Sequence, residues 1–269
     1  MAEDVILTAI DVRGIATVTL NRPAACNAYD DAMLSALTKA LTRLAGEQAV
    51  RLVLLRGAGE HFQSGADPQF LGLLKDKPIE DGIQFARLML TTIDALRRLP
   101  QPTIALVHGN CLGGGIGFAA GCDIAIACSD AIFAVNDVRQ GLIPAPILPA
   151  LAAKLGPRWL GRFALTGERF NAAEALRRGL VHQVCAPGQL DNAVAPIVED
   201  VLAAEPQAVI ATKRLIESWG ESAQYPASRE DLARAAALRY HSAEAEEGRA
   251  ALRENRPPAW FPPASDPTN

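Results

Sequence analysis

A junction between an apolar run and three consecutive glycines restricts the fold of this chain more than any other feature. The apolar run, residues 103–107, has the character of a buried strand, and Gly113, Gly114 and Gly115 follow it before a helical segment of small residues. Glycines at such a junction let the backbone approach a ligand closely and leave amide N–H groups free at a helix N-terminus. Those amides and the helix dipole stabilise an oxygen that becomes negative during a reaction. The junction predicts either such an anion-stabilising turn or an ordinary tight turn.

A second loop, upstream of the glycines, can supply a further free amide. Residues 61–67 (His-Phe-Gln-Ser-Gly-Ala-Asp) follow the apolar run 50–55, and Gly65 allows a sharp bend. Asp67 precedes Pro68, where a helix can begin, so one interpretation of this aspartate is a helix N-cap. Two strand-to-loop junctions of this kind can converge on one carbonyl oxygen.

The N-terminal half of the chain carries the patterns of an alternating α/β body. Residues 5–10 and 15–20 predict a hairpin because their apolar residues alternate around a turn. Asp30 is a candidate cap for a helix that presents leucines on one face, at positions 34, 37, 41 and 44. Strands at 103–107 and 124–127 are predicted to bracket the glycine-rich helix.

The C-terminal part of the chain is predicted to be mainly helical. Asn171 and Gly179 are the expected start and stop of a short helix. From residue 191 onward the patterns are helical, with Pro206 at a first helical turn. The segment 256–263 is expected to be irregular, with two aromatic residues that dock on another part of the molecule.

Six segments together resemble the enoyl-CoA hydratase/isomerase (crotonase) family in its order and spacing. They are NRPAACNA at 21–28, SGAD at 64–67, GGG at 113–115, GLIP at 141–144, LTGERF at 165–170 and ALRRGLV at 175–181. The resemblance implies an α/β fold, a crotonase-like spiral of ββα repeats with a C-terminal helical region. Residues 1–200 are accordingly predicted to form the spiral core, and residues 201–269 a helical region that builds trimers, often paired into hexamers.

Composition excludes several other classes of protein. The chain has 269 residues, of which 49% are hydrophobic and 21% charged, as in an ordinary globular protein with a large core. Its net charge is −4 and no Lys/Arg cluster is interleaved with aromatic residues, so neither nucleic acid nor a membrane is an expected partner. We see no apolar run long enough to span a bilayer and no secretion signal. Five cysteines without CxxC spacing favour a reduced, cytoplasmic protein.

The resemblance implies an acyl-CoA thioester as the substrate, with coenzyme A entering as part of the substrate and neither a separate cofactor nor a metal. Two backbone N–H groups are the implied donors to the thioester oxygen, those of Ala66 and Gly114. Donors of this kind stabilise an enolate, and losing one typically costs about 2.7–4 kcal/mol. The alternative is that both residues serve only their turns.

Further residues are implied as contacts of the substrate. Gln63 and Ser64 occupy positions of the loop that meets the adenine end of CoA in the family. Arg22 and Lys213 are candidate phosphate contacts, and each is explained equally well as a solvated surface charge. The remaining implied contact positions lie within the two loops, at Gly65, Asp67 and Gly113.

The family's two catalytic carboxylates are only partly present. Many hydratases of the family use two glutamates, and counting from the glycines places the first at Gly117 and the second at Asp137. The first carboxylate is therefore absent, and the second is one methylene shorter. Asp137 is also explained as a turn or helix cap before Val138. Arg139, next but one, is a candidate partner for a second carboxylate on the substrate, or a surface charge.

A glycine at position 117, together with the pattern of residues 138–149, resembles hydratases of branched glutaconyl-CoA substrates such as methylglutaconyl-CoA and isohexenylglutaconyl-CoA. A glutamate at Gly117 would crowd a branch at C3 and repel a second carboxylate. On this interpretation, the glycine leaves room for the branch.

Three functions follow from these residues. The first is hydration of a 2-enoyl-CoA, a lyase reaction of fatty acid metabolism, with Asp137 as the single acid and base. The second is a Δ3,Δ2-enoyl-CoA isomerase, in which one carboxylate moves a proton between C2 and C4. The third is a CoA-thioester-binding homologue without catalysis, suggested by the missing carboxylate at Gly117.

Overall fold

The computed structural model of the protein describes residues 4–74, 76–220, 236, 238 and 242–262. Its fold contains two β-sheets whose strands are mostly parallel. The strands are β1 (Ile6–Ile10), β2 (Ile15–Leu20), β3 (Leu52–Gly57), β4 (Thr103–Val107), β5 (Asn110–Leu112), β6 (Ile124–Cys128), β7 (Ile132–Ala134), β8 (Phe170–Asn171) and β9 (Gln183–Cys185). The helices are α1 (Asp31–Ala45), α2 (Pro68–Leu74), α3 (Ile79–Arg97), α4 (Gly114–Gly121), α5 (Leu148–Thr166), α6 (Ala172–Arg177), α7 (Leu190–Ala203), α8 (Pro206–Gly220) and α9 (Ala243–Glu254). Short 3-10 helices span Pro23–Ala25, Asp137–Gln140 and Ala145–Ile147.

The strand order repeats a ββα unit. The larger sheet runs β1–β2–β3–β4–β6–β9, with the β1–β2 pair antiparallel and the others parallel. The smaller sheet runs β5–β7–β8. Thus β4 lies in the larger sheet, β5 in the smaller one, and α4 follows; β6 and β7 repeat the arrangement before α5. The predicted spiral is confirmed.

Local sequence signals explain several of these elements. The Asp30 side chain accepts a hydrogen bond from Met33 N at 2.8 Å and so caps α1, as predicted. Asn171 caps α6 in the same way, accepting from Glu174 N at 2.9 Å. The leucines on the inner face of α1 are fully buried, at positions 34, 37, 41 and 44. Their burial joins α1 to the main core, which includes one face of the larger sheet and helices α3–α5.

The other face of the larger sheet is covered by α7. Four apolar residues of this helix pack on the sheet, namely Leu190, Val194, Val198 and Leu202. The C-terminal aromatic residues dock here, as predicted: Trp260 Nε1 donates to Ala203 O at 2.9 Å, and Phe261 packs against the same cluster. The predicted boundary between residues 200 and 201 falls inside α7, and the division into two regions stays a prediction. No helix in the described ranges is long and apolar enough to cross a bilayer.

Candidate active site

The loop after β3 is held so that one backbone amide stays free. Gln63 is fully buried, and its side chain brackets Gly65 by accepting from Gly65 N at 2.7 Å and donating to Gly65 O at 2.8 Å. Tyr29 N donates to Gly65 O at 3.0 Å, and Asp67 N donates to Tyr29 O at 2.8 Å. Between these bonds, the N–H of Ala66 donates to no other described residue. The loop therefore presents a fixed donor.

The glycine turn presents the second donor beside the first. Gly113 has φ +51° at the N-cap of α4, a conformation that favours glycine, and its N–H bonds to Ala134 O at 2.9 Å. Gly114 follows as the first helical residue, and its N–H has no partner among the described residues. The two loops touch, since a Cβ built on Gly113 would lie 3.5 Å from Gly65 Cα. Ala66 and Gly114 line one cavity of about 470 Å³.

One carboxylate lies in this cavity. Asp137 begins the 3-10 helix after β7, and its Oδ2 would be 3.9 Å from a Cβ built on Gly113. This oxygen is buried and has no hydrogen-bond partner in the described part of the chain. Burial raises the pKa of Asp137 above the ordinary carboxyl value because it disfavours the charged form. A half-buried carboxylate whose buried oxygen is free, beside two free amides, can exchange a proton with a bound acyl group.

Comparison with known proteins shows the family to which the chain belongs. A sequence model of the family described as "Enoyl-CoA hydratase/isomerase" matches residues 11–262. The chain belongs to the enoyl-CoA hydratase/isomerase family. It is an enzyme of the hydratase/isomerase kind, and its crotonase fold is the one that the sequence predicts.

Hydratases and an isomerase are both present among the relatives. The chain is 34% identical over 204 residues to a short-chain-enoyl-CoA hydratase of Clostridium acetobutylicum, covering 75% of this chain and 77% of that protein. It is 31% identical over 208 residues to the peroxisomal Delta(3,5)-Delta(2,4)-dienoyl-CoA isomerase of Arabidopsis thaliana, covering 73% and 75%. The crystal structure of an enoyl-CoA hydratase from Mycobacterium smegmatis superposes with a TM-score of 0.90 at 34% identity, covering 96% of this chain and 99% of that one.

The position of the missing family carboxylate is not open space. A Cβ built on Gly117 would lie 2.6 Å from Ile147 Cγ2 and 3.2 Å from Ile93 Cδ1. Ile147 is buried, and Gly117 does not line the cavity. The interpretation that glycine leaves room for a substrate branch is therefore wrong for this structure, because the Ile147 side chain fills that room.

Three predicted substrate contacts stabilise the loop instead of lining the cavity. The side-chain amide of Gln63 forms its hydrogen bonds with the backbone of Gly65. The Arg22 guanidinium pairs with Asp67 at 2.8 Å and with Asp30 at 3.2 Å. Burial raises the pKa of Asp67, but the hydrogen bonds from Arg22 and from the first turn of α2 outweigh it, so the net shift is downward. The N-cap interpretation of Asp67 is confirmed, since its Oδ1 accepts from Gln69 N at 2.9 Å.

Two further basic candidates lie elsewhere. Arg139 is exposed and donates from Nε to Thr166 O at 3.0 Å. Because the segment is a 3-10 helix and not an extended strand, Arg139 does not share a face with Asp137. Lys213 is buried and pairs with Asp123 at 2.7 Å, which excludes the solvated surface charge, and it does not line the cavity of Ala66 and Gly114. The predicted loop residues Ser64, Gly65 and Gly113 do line the cavity.

Sequence reasoning missed part of the cavity wall. The unpredicted lining residues are Ala24, Ala25, Cys26, Ala28, Tyr29, Pro68, Asn136, Gln140 and Leu142. Most are small or apolar and carry no chemical signal. Tyr29 is different, because a phenol directly after the NRPAACNA segment was a detectable polar group. In the described ranges, no group of three His, Cys, Asp or Glu side chains is arranged to hold a metal ion.

Proposed function

We propose that this enzyme hydrates 2-enoyl-CoA thioesters with Asp137 as its single acid and base. The observation that carries the proposal is the free Oδ2 of Asp137, buried in the cavity that Ala66 and Gly114 also line. The two free amides support binding of the thioester carbonyl oxygen, whose negative charge grows as the enolate forms. Coenzyme A enters as part of the substrate, and the reaction needs no separate cofactor.

The proposed reaction uses one proton carrier. Asp137 takes a proton from water as the water oxygen bonds to C3, and the C2–C3 double-bond electrons move toward the thioester oxygen. The amides of Ala66 and Gly114 stabilise that oxygen as an enolate. Asp137 then returns a proton to C2, which restores the carbonyl and the carboxylate. Burial of Asp137 supports this role, since a raised pKa brings the acid and base forms closer in energy near neutral pH.

A second candidate is migration of a double bond between C3 and C2. One carboxylate suffices for it, because the same group removes a proton from C2 of a 3-enoyl thioester and delivers one to C4. The similarity to the Arabidopsis dienoyl-CoA isomerase supports this alternative. A preference for branched glutaconyl thioesters rests on the pattern of residues 138–149 alone, because the space beside Gly117 gives it no support.

The resemblance to the family also supports a homotrimer or hexamer in the cytoplasm. Sedimentation velocity of the purified protein tests the assembly. A species of one chain at micromolar concentration would contradict it. Fractionation of the source cells tests the location.

A panel of thioesters tests the proposed reaction. Crotonyl-, 3-methylcrotonyl-, 3-methylglutaconyl- and 3-enoyl-CoA are each incubated with enzyme, and products are separated by chromatography. Hydration of crotonyl-CoA that Asp137→Asn abolishes supports the hydratase. Migration of the 3-enoyl bond without hydration supports the isomerase. Turnover of the glutaconyl thioester alone would restore the branched-substrate interpretation, and binding without turnover of any member would contradict both enzyme proposals.

A further inference from the structure

The Tyr29 phenol lies where the loop that carries the Ala66 amide meets the glycine turn that carries the Gly114 amide. Its backbone is bonded to Gly65 and Asp67, on either side of the Ala66 amide. Its ring lies against the other donor, since a Cβ built on Gly114 would be 2.8 Å from Tyr29 Cζ, the carbon that carries the hydroxyl. The ring is held by Phe85, stacked at 5.8 Å between centroids, and by Phe118, tilted at 5.9 Å. The hydroxyl therefore has a fixed position.

The hydroxyl lies within the electrostatic field of the one carboxylate in the cavity. Burial, and secondarily the charge of Asp137, raises the pKa of Tyr29 well above its ordinary value. The phenol consequently stays protonated over the physiological range and does not act as a base. A neutral phenol keeps its lone pairs, so it can accept a hydrogen bond while retaining its own proton.

Two polar groups that face one cavity remain unpaired. Asp137 Oδ2 is buried without a hydrogen-bond partner in the described parts of the chain, and the Tyr29 hydroxyl makes no hydrogen bond to a described residue. Each is held by its surroundings, and both residues line the same cavity wall as Gly114. Buried polar groups are ordinarily satisfied, so the unpaired Asp137 oxygen marks a position where a ligand supplies the partner, with the Tyr29 phenol on the wall of the same cavity.

We propose that the Tyr29 hydroxyl is a second catalytic group that orients the attacking water, an inference that rests on the proposed hydratase reaction. One hydrogen of the water bonds to Asp137 and the other to the Tyr29 oxygen, so that a lone pair of the water points at C3. The water oxygen bonds to C3, Asp137 takes the first hydrogen as a proton, and the displaced electron pair reaches the thioester oxygen. Tyr29 keeps its proton throughout. The Tyr29 hydroxyl thus supplies the second contact to water that the family's other carboxylate, absent at Gly117, does not provide here.

Tyr29→Phe tests this role because it keeps the ring and removes only the hydroxyl. Two rates are compared in each enzyme: hydration of crotonyl-CoA, and exchange of the C2 proton of butyryl-CoA with deuterated solvent. Exchange needs Asp137 and the two amides but no attacking water. We expect hydration kcat to fall by about 30- to 100-fold and exchange by less than about 5-fold, since orienting a reactant contributes on this scale. Asp137→Asn is the control that loses both rates.

The outcomes separate the two proposals. A wild-type enzyme that exchanges the C2 proton but does not hydrate any thioester refutes the hydratase reaction itself. A hydrating wild-type enzyme whose Tyr29→Phe variant loses both rates by the same factor, or loses neither, overturns only the role of Tyr29. The melting temperature of Tyr29→Phe is measured in parallel. It should not fall, because the removed hydroxyl has no partner in the described structure.

Discussion

Ile147 Cγ2 occupies the place where a side chain at Gly117 would begin, with only 2.6 Å to a Cβ built there. The glycine is therefore part of the packing between α4 and the 3-10 helix Ala145–Ile147. The family's first carboxylate is not merely absent, because the space for it is filled. A single Gly117→Glu change would bury a carboxylate against two isoleucines, which is costly without a partner.

Gly117→Ala should destabilise the enzyme despite the higher helix propensity of alanine. That propensity favours alanine by about 0.5–1 kcal/mol in a helix interior. Overpacking a tight core typically costs about 1–3 kcal/mol, and the nearest neighbour is the Cγ2 methyl of a β-branched side chain, which cannot rotate away freely. We therefore expect a lower free energy of unfolding in urea. Gly121→Ala on the same helix is the matched control, since its Cβ would have 3.4–3.5 Å to Ile93 and Leu96. It should be neutral or stabilising.

The clash can be assigned to Ile147 by a double-mutant cycle. Ile147→Ala alone leaves a cavity and should cost about 2–5 kcal/mol. In that background Gly117→Ala should cost at least about 1 kcal/mol less than in the wild type, since contacting residues couple on this scale. Equal costs in the two backgrounds would show that something other than Ile147 limits the size of residue 117.

Features set by neighbouring residues could be predicted from the sequence. The caps at Asp30 and Asn171 depend on a side chain and an amide three residues later, and both are present. The glycine turn was predictable because a positive φ and a close approach leave few alternatives to glycine, as at Gly115, where a Cβ would lie 2.5 Å from Gln63 Oε1.

Features set by segments distant in the sequence could not be predicted from it. Ile147 fills the space at Gly117 only because the chain returns after β7, and no local pattern records this. Arg22 looks like an anion-binding residue in the sequence, yet the fold brings Asp67 to 2.8 Å from it. The charge of a side chain indicates that it needs a partner, but the fold decides whether that partner is protein or substrate.

Asp137→Asn should abolish turnover and keep thioester binding, because the amide cannot accept the proton. In the wild type, kcat/KM should rise with pH as Asp137 ionises, with a midpoint above the ordinary carboxyl value of about 3.9 because burial raises this pKa. Asp137→Glu restores the family's longer carboxylate and serves as the control, with activity well above that of the Asn variant. An Asn variant with near-normal kcat would remove Asp137 from the mechanism.

The same Asp137→Asn change should stabilise the fold at neutral pH. The folded-state pKa of Asp137 is raised, so ionising it costs folding free energy above that pKa and costs nothing below the unfolded value of about 3.9. The gain should be of the size common for stabilising substitutions, about 0.5–2 kcal/mol. Melting temperatures at pH 7.5 and in steps toward pH 4.5 check it. The difference between variant and wild type should shrink as the pH falls, and a constant difference would contradict the electrostatic cause.

Arg22→Ala should reduce turnover by loosening the loop that carries Ala66, and not by removing a phosphate contact. Arg22 donates to Asp67 Oδ2 and to Ala28 O, so its loss leaves Asp67 without its charged partner and α2 with a weakened start. Misplacing a donor to the thioester oxygen by a fraction of an ångström is expected to lower kcat/KM by about tenfold or more. Arg22→Lys keeps the charge without the forked geometry and should be intermediate.

The choice of substrate separates this positioning role from phosphate binding. An acyl thioester of N-acetylcysteamine carries the reacting group but none of the phosphates of coenzyme A. If Arg22 acts through Asp67, Arg22→Ala lowers kcat/KM by the same factor for the CoA and N-acetylcysteamine thioesters, mainly through kcat. If Arg22 binds phosphate, the loss is confined to the CoA thioester and falls on KM. We expect equal losses, because both terminal nitrogens of Arg22 are already bonded, one to Ala28 O at 2.6 Å and the other to Asp67 at 2.8 Å.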